Sequence, residues 1–229
     1  MIETFAAGGW SPLVLTLKLA AVTVVCLLAL GTPLAWWLAR TRWRGRVAIE
    51  AAVALPLVLP PTVIGFYLLI LLGPNGAVGR AFALVSDQGL TFSFAGLVIA
   101  SVVYSLPFVV QPIQNAFESV GRAPLEAAAV LRAGPWDRFV SVAVPLALRG
   151  FVTAAVMGFA HTLGEFGVVL MVGGNIPGET RVISIAIYDH VETLDYGYAH
   201  AMAAVLVALS FAILVLVYGI NRRWARAAP

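Results

Sequence analysis

The chain has 229 residues, 61% of them hydrophobic and only 11% charged, with a formal net charge of +3 and a mean hydropathy of +0.96. Soluble domains carry about 25% charged residues, so a single water-facing core is excluded. A bundle of membrane helices is expected instead, each using about 20 apolar residues to cross about 30 Å of hydrocarbon.

The first residues, "MIETFAAGGWSP", hold an acid and no basic stretch, so they do not resemble a cleavable signal and the first apolar run is expected to be retained. Five runs are apolar enough to span: residues 12–39, 48–72, 91–117, 139–172 and 198–221. Together they form an all-α, polytopic membrane protein read as one domain over residues 1–229. The single cysteine, Cys26, lies in the first run and excludes an intrachain disulfide. Lys18 is near the outer end of that run, where its stem can snorkel to the interface.

The loop after the first run holds Arg40, Arg42, Arg44 and Arg46. The segment between the third and fourth runs holds Arg122, Arg132, Arg138 and Arg149, and the tail holds Arg222, Arg223 and Arg226. The other two loops offer only Arg80 and Arg181, a count of eleven against two. By the positive-inside rule the arginine-rich segments face the cytoplasm, which places the N-terminus outside and the C-terminus inside. The positive balance is thereby a matter of topology, and no nucleic-acid partner is expected.

Pro56, Pro60, Pro61, Pro107, Pro112 and Pro145 punctuate the second to fourth runs, each removing a backbone donor. The 139–172 run is longer than a perpendicular span needs, so it begins along the membrane surface, tilts, or breaks near Gly164 and Gly167.

Residues 121–145 do not fit their apolar surroundings. Pro124 suits a first helical turn, Glu126 complements the helix N-terminus, and Ala127, Ala128 and Ala129 favour helix. Gly134-Pro135 is expected to end the element. A helix this short is marginal alone, and its small side chains allow close approach by a partner. An interfacial helix lying on lipid headgroups is the plainer alternative.

This passage resembles the Glu-Ala-Ala loop of permease subunits of ATP-binding-cassette importers. Glu126, Ala127, Ala128 and the distant Pro145 match that pattern, Val142 and Val144 replace its aliphatic pair, and Arg132 stands where the family has glycine. Gly134-Pro135 is expected to supply the turn in its place. The resemblance implies a cytoplasmic coupling helix, with Glu126, Ala127, Ala128, Arg132, Gly134 and Pro145 as the loop that engages a separate ATPase. The stretches "LPLVLPPTVIGFYLLILLG" and "LGEFGVVLMVGGNIPGETR" further resemble molybdate permease subunits of the sulfate/molybdate permease family. That likeness implies import of an oxyanion, most simply molybdate, with sulfate or tungstate as alternatives.

The partners so implied are a second copy of the chain, two cytoplasmic ATP-binding-cassette subunits that bind ATP and magnesium, and an external oxyanion-binding protein, all at the lipid bilayer. The location implied is a bacterial or archaeal cell membrane, the inner one where there are two. The chain itself shows no G-x-x-x-x-G-K-[ST], so it is expected to be a non-enzymatic subunit without a cofactor. An ion-coupled carrier would need midplane titratable groups and repeat symmetry, and an intramembrane enzyme would need a G-x-S-x-G or H-E-x-x-H motif, which is missing.

Gly164, Glu165, Gly167, Asn175 and Pro177 are candidates for the gate or pathway. An intramembrane carboxylate is a functional candidate, yet it would repel a dianion. Glu165 is therefore expected to bond backbone or hydroxyl groups at a helix break. His161 shares its helix face, but no further ligand is fixed near by, so no metal site is expected. The external 173–197 segment carries an apolar patch of Val182, Ile183, Ile185, Ala186 and Ile187, suited to a re-entrant element, a landing surface or a membrane-hugging loop. Asp189, Glu192 and Asp195 make that face acidic.

Overall fold

The computed structural model of the chain describes residues 10–86 and 88–227, with backbone alone for 216–218 and 220–227. The N-terminal segment expected outside, before Trp10, and the tail arginine side chains lie outside the described residues. Every regular element among the described residues is helical. Ser11–Arg40, Pro61–Phe82, Phe94–Val120 and Tyr196–Val215 are long and apolar enough to cross a membrane, and a bent pair makes up to five spans.

Helix α1 (Ser11–Arg40) begins with Pro12, which needs no donor there, and ends on Arg40, which complements the negative helix end. The second expected run is not one helix. It divides into α2 (Arg46–Ala54), a short 3-10 turn (Leu55–Leu57) and α3 (Pro61–Leu72), with Pro60 extended between them. The cause is the proline series, since Pro61 pushes the residue before it out of the helical region. After α4 (Ala77–Phe82), α5 (Phe94–Val120) is capped by Ser93, whose Oγ accepts from the Gly96 N–H at 3.2 Å.

The fourth expected run also divides. Following α6 (Ala123–Val130), α7 (Pro135–Leu146) meets α8 (Leu148–Leu163) at a 70° bend. Turning therefore happens at Ala147, two residues after Pro145. Pro145 lacks an N–H and crowds the carbonyl four residues back; the stretch directly before it, Arg138–Ala143, is widened into π-helix. Helix α8 stops at Gly164, and α9 (Gly167–Gly173) starts a new direction. A sharp bend at the start of the run and a glycine break near its end thus both occur.

Helix α10 (Ile183–Glu192) occupies the segment expected as an external loop. Of the expected apolar patch, Val182, Ile183, Ile185 and Ala186 are at most 2% exposed and Ile187 is partly buried. The patch is therefore core and not a landing surface, while Tyr188 and Val191 further along the helix are exposed. The Ile183 N–H donates to Thr16 Oγ1 of α1 at 2.8 Å, which ties α10 to the first span. Helix α11 (Tyr196–Ala227) closes the chain and packs on α10.

The centre is the packing of α1, α5 and α8 on one another, around Leu27, Ala35, Leu38, Val109, Val110, Ile113 and Ala154. Small residues set its closeness, as membrane packing requires. A Cβ on Gly158 would stand 2.7 Å from Val109 Cγ2, and one on Gly150 only 2.2 Å from the Ala116 Cβ. Against this core α9 is wedged beside α3 and α5, burying Ile64, Leu68, Ala100, Val168 and Val172.

Candidate functional site

The break between α8 and α9 places Glu165 inside the bundle at 3% exposure. Both carboxylate oxygens are used: Ser101 Oγ donates to Oε2 at 2.5 Å and Ser105 Oγ donates to Oε1 at 2.6 Å. Because the Ser105 proton goes to Glu165, the His161 Nδ1–H donates to Ser105 Oγ across their 2.8 Å contact. His161 Nδ1 also lies 3.5 Å from Glu165 Oε1, and Thr162 Oγ1 is 3.2 Å from Ser105 Oγ while donating to the Gly158 carbonyl. The imidazole is fixed by stacking on Phe108, with centroids 3.9 Å apart, and by the Tyr104 ring at 4.8 Å. At the backbone, Ser184 Oγ of α10 donates to the Glu165 carbonyl at 2.5 Å. One residue therefore joins α5, the α8–α9 break and α10.

Beside this cluster is a cavity of about 590 Å³, bounded by Pro61, Thr62, Tyr104, His161, Gly164, Glu165, Phe166, Gly167, Leu170 and Met171 among others. Gly167 allows the close approach of α9 to α3, since a Cβ there would come 3.0 Å from the Pro61 Cβ. Of the candidate gate residues, Gly164, Glu165 and Gly167 come together here. Asn175 and Pro177 do not line this space. Asn175 instead accepts from Arg181 Nε at 2.5 Å and donates to Asp189 at 3.3 Å, in an outer cluster completed by the Arg181–Asp189 pair at 3.6 Å. Pro177 falls in a turn in which the Ile176 carbonyl accepts from the Glu179, Thr180 and Arg181 N–H groups. In that region the Glu192 carboxylate, accepting from Tyr188 Oη, raises the phenol's pKa above its ordinary value.

No group of three or more His, Cys, Asp or Glu among the described residues could hold a metal ion. His190 is engaged elsewhere, stacking on Tyr198 at 4.9 Å and facing Asp195 at 3.4 Å. Lys18 places its Nζ 4.6 Å over the Phe94 ring.

The second candidate region is the arginine-rich end. Helix α6 is fastened by Leu125, 4% exposed, which enters the core with Phe117, Ala143 and Leu38. It ends earlier than expected, and Gly134 does not make the turn. Arg132 does, with a φ of 64°. The Arg132 N–H donates to the Ala129 carbonyl at 2.9 Å and the Ala133 N–H to the Ala128 carbonyl at 3.0 Å, the paired bonds of a left-handed helix stop. Gly134 is extended and leads into α7. Glu126, Ala127, Gly134 and Pro145 are exposed and Ala128 is half-buried. Around them Val130 and Leu131 are each 83% exposed and Trp136 75%, an apolar face on a separately held helix.

Below that face Arg46 donates to Glu50 at 2.7 Å and to Glu118 at 2.6 Å, and these hydrogen bonds hold its guanidinium pKa above the ordinary value. Gln114 completes the network by donating to Glu50 at 2.7 Å. These tie α2 to α5 and gather the arginine-rich segments at one end.

The sequence reading missed Ser101, Tyr104, Ser105 and Phe108. Their spacing of three, four and seven is one face of a helix, and that polar-aromatic stripe opposite an acidic break was the available signal.

The sequence model of the family described as "Binding-protein-dependent transport system inner membrane component" matches residues 31–226. The chain is 61% identical over 208 residues to the molybdenum transport system permease protein ModB of Azotobacter vinelandii, covering 91% of this chain and 92% of that one. It is 36% identical to the Escherichia coli K12 protein of the same description, covering 90% of each. With the sulfate transport system permease protein CysT of the same organism it shares 35% identity over 86% of this chain and 70% of that one. Its fold is similar to a chain in the crystal structure of a bacterial transporter importing alginate, with a TM-score of 0.78, 18% identity, and coverage of 97% of this chain and 82% of the other. It is also similar to a chain of the inward-facing MetNI methionine transporter, with a TM-score of 0.70 at 20% identity and 97% of each chain covered.

Proposed function

The chain belongs to the family of binding-protein-dependent transport system inner membrane components, and from that premise we propose that it is the permease subunit of an ATP-driven molybdate importer. The observation that carries the substrate is the 61% identity to a molybdenum transport permease across nine-tenths of both chains. The sulfate permease relative is less similar and is matched over only 70% of its length.

In this reading the chain works as a pair of copies in the cell membrane, with the arginine-rich end in the cytoplasm. A separate ATPase grips the exposed face of α6 and α7 around Glu126, Ala127, Val130, Leu131 and Trp136. Bent at 70° to α7, the 16-residue α8 is about 24 Å long and carries that movement to the Glu165 cluster. There the α8–α9 break flexes beside the cavity. Glu165 acts as a bolt and not as a substrate ligand, because its oxygens are already taken by two serines and its charge opposes a dianion. An external binding protein delivers the oxyanion. The chemistry of ATP and magnesium belongs to the partner ATPase.

The test is molybdenum accumulation in cells lacking this chain and complemented with it, measured at nanomolar external molybdate. Concentrative uptake is expected to require both this chain and the ATPase, and to be competed by tungstate but not by excess sulfate. Undiminished uptake without the ATPase would overturn the importer reading. Equal competition by sulfate would move the substrate to the sulfate class.

A further inference from the structure

Beside the arginine-rich end, α1 and α7 leave a largely apolar groove of about 730 Å³ between them. It is bounded by Leu28, Thr32, Pro33, Trp36, Trp136 and Phe139, among others. On α1 these positions recur at helical spacing and Arg40 continues the same stripe, four residues beyond Trp36. Eight residues from Leu28 to Trp36 rise about 12 Å, and twelve to Arg40 about 18 Å. Half of a hydrocarbon core about 30 Å thick is about 15 Å, so the length of the groove matches one leaflet, with Arg40 at the end where a headgroup would sit.

The arginine end of the groove is rich in positive charge. The Arg40 guanidinium lies 4.4 Å over the Trp36 ring, and Trp36 in turn packs on Phe139 with centroids 5.0 Å apart. Arg40 and Arg122 line a common hollow of about 500 Å³ together with Arg46 and Glu118. Both Arg122 and Arg138 are close enough to repel the charge of Arg40. Of the acids near this end, Glu118 and Glu50 are both bound by Arg46. Asp137, next to Arg138 on α7, accepts from Ser141 Oγ at 2.7 Å and forms no ion pair within 4.0 Å among the described residues. That leaves Arg40, Arg122 and Arg138 without an acidic partner among the described residues. Arg138 Nε is moreover buried with no hydrogen-bond partner.

An apolar channel of one leaflet's length that opens under unneutralised guanidiniums has the chemistry of a phospholipid with an anionic headgroup. We propose that the α1–α7 groove is a binding site for one anionic phospholipid, with an acyl chain along Leu28, Thr32, Trp36 and Phe139 and its phosphate at Arg40, Arg122 and Arg138. Basic pockets at helix ends recognise lipid phosphates in this way, and guanidinium suits phosphate better than a point charge does. The lipid would join the first span to α7, and so set how firmly the segment carrying Trp136 is held. This site rests on the membrane reading and not on the choice of substrate.

The experiment uses the full chain purified in a neutral detergent, with phosphatidylglycerol and phosphatidylcholine of the same acyl composition as probes. Retention is read by native mass spectrometry and thermal unfolding is measured in parallel. Phosphatidylglycerol is expected to be retained preferentially and to raise the unfolding temperature. The preference should fall about fivefold for each of Arg40→Gln, Arg122→Gln and Arg138→Gln, with Arg80→Gln, away from the groove, as the unaffected control. Ala29→Trp, which fills the groove and leaves the arginines, should also reduce retention. Equal retention of both lipids by the wild type would overturn the proposal. So would reproduction of the thermal shift by inorganic phosphate alone, which would mark a soluble-anion site. If an arginine variant does not fold, the lipid comparison in the wild type with and without Ala29→Trp decides the matter.

Discussion

At the scale of single residues, Glu165 and Arg132 each solve a backbone problem with a side chain that looks out of place. Glu165 is acceptable inside the bundle because each of its oxygens receives a serine hydroxyl. Glu165→Ala would leave Ser101 without its acceptor and Ser105 with only the longer contact to Thr162 Oγ1 at 3.2 Å, and an unsatisfied buried polar group costs about 1–3 kcal/mol. Thermal unfolding in detergent should show a clear loss for Glu165→Ala, a smaller one for Glu165→Gln, and least for the triple replacement that also removes both hydroxyls. Arg132 holds a left-handed conformation, which costs an L-residue with a Cβ about 1–2 kcal/mol. Arg132→Gly should therefore keep the turn and unfold slightly higher. Arg132→Val, β-branched at positive φ, should unfold lower. Equal midpoints for the two variants would show that the turn is not held there.

At the scale of elements, α6 separates anchoring from contact. Leu125 is buried and holds the helix to the core, whereas Val130 and Leu131 are each 83% exposed and Trp136 is 75% exposed, touching only the Phe139 ring at 5.5 Å among the ring contacts of α7. Leu125→Ala should lower the unfolding midpoint, since emptying a buried leucine site costs about 2–5 kcal/mol. Leu131→Ser with Trp136→Ser should leave the midpoint unchanged and reduce co-purification of the ATPase at least tenfold. Loss of stability without loss of co-purification in the second pair would refute the assignment of that face. The same elements show what could be read from the sequence. Hydropathy located α1, α5 and α11 within a few residues at most ends, because long uninterrupted helices depend only on local composition. It merged α2 with α3, and α7 with α8 and α9, because a hydropathy window does not see direction. The prolines and glycines that turn the chain are themselves apolar. The Glu-Ala-Ala spacing located α6, but its stop was assigned to Gly134, because nothing in a sequence announces an arginine at positive φ. The serine partners of Glu165 come from a helix 60 and 64 residues away, a pairing that only the packing of α5 on α8 creates.

At the scale of the whole molecule, the charge count and the packing support one orientation in the membrane. Eleven arginines fall in the segments expected inside, against two outside, and the structure brings the Arg46, Glu50, Glu118 and Arg122 region to a single end. Reversing the molecule would place this cluster and the face of α6 outside, away from any source of ATP, so orientation and energy coupling stand together. Single cysteines can test both at once in a Cys26→Ala background, because Cys26 lies within α1. Arg44→Cys sits between α1 and α2 and Trp136→Cys on α7, while Gln88→Cys sits on the loop leading to α5, and all three positions are exposed. In intact spheroplasts a membrane-impermeant maleimide should modify position 88 and spare 44 and 136, and permeabilisation should expose the latter two. Co-expression of the ATPase should then protect position 136 and leave 44 reactive, since only the α6–α7 face is expected to be covered. Labelling of 44 and 136 in intact spheroplasts would invert the topology and remove the coupling face from the cytoplasm with it.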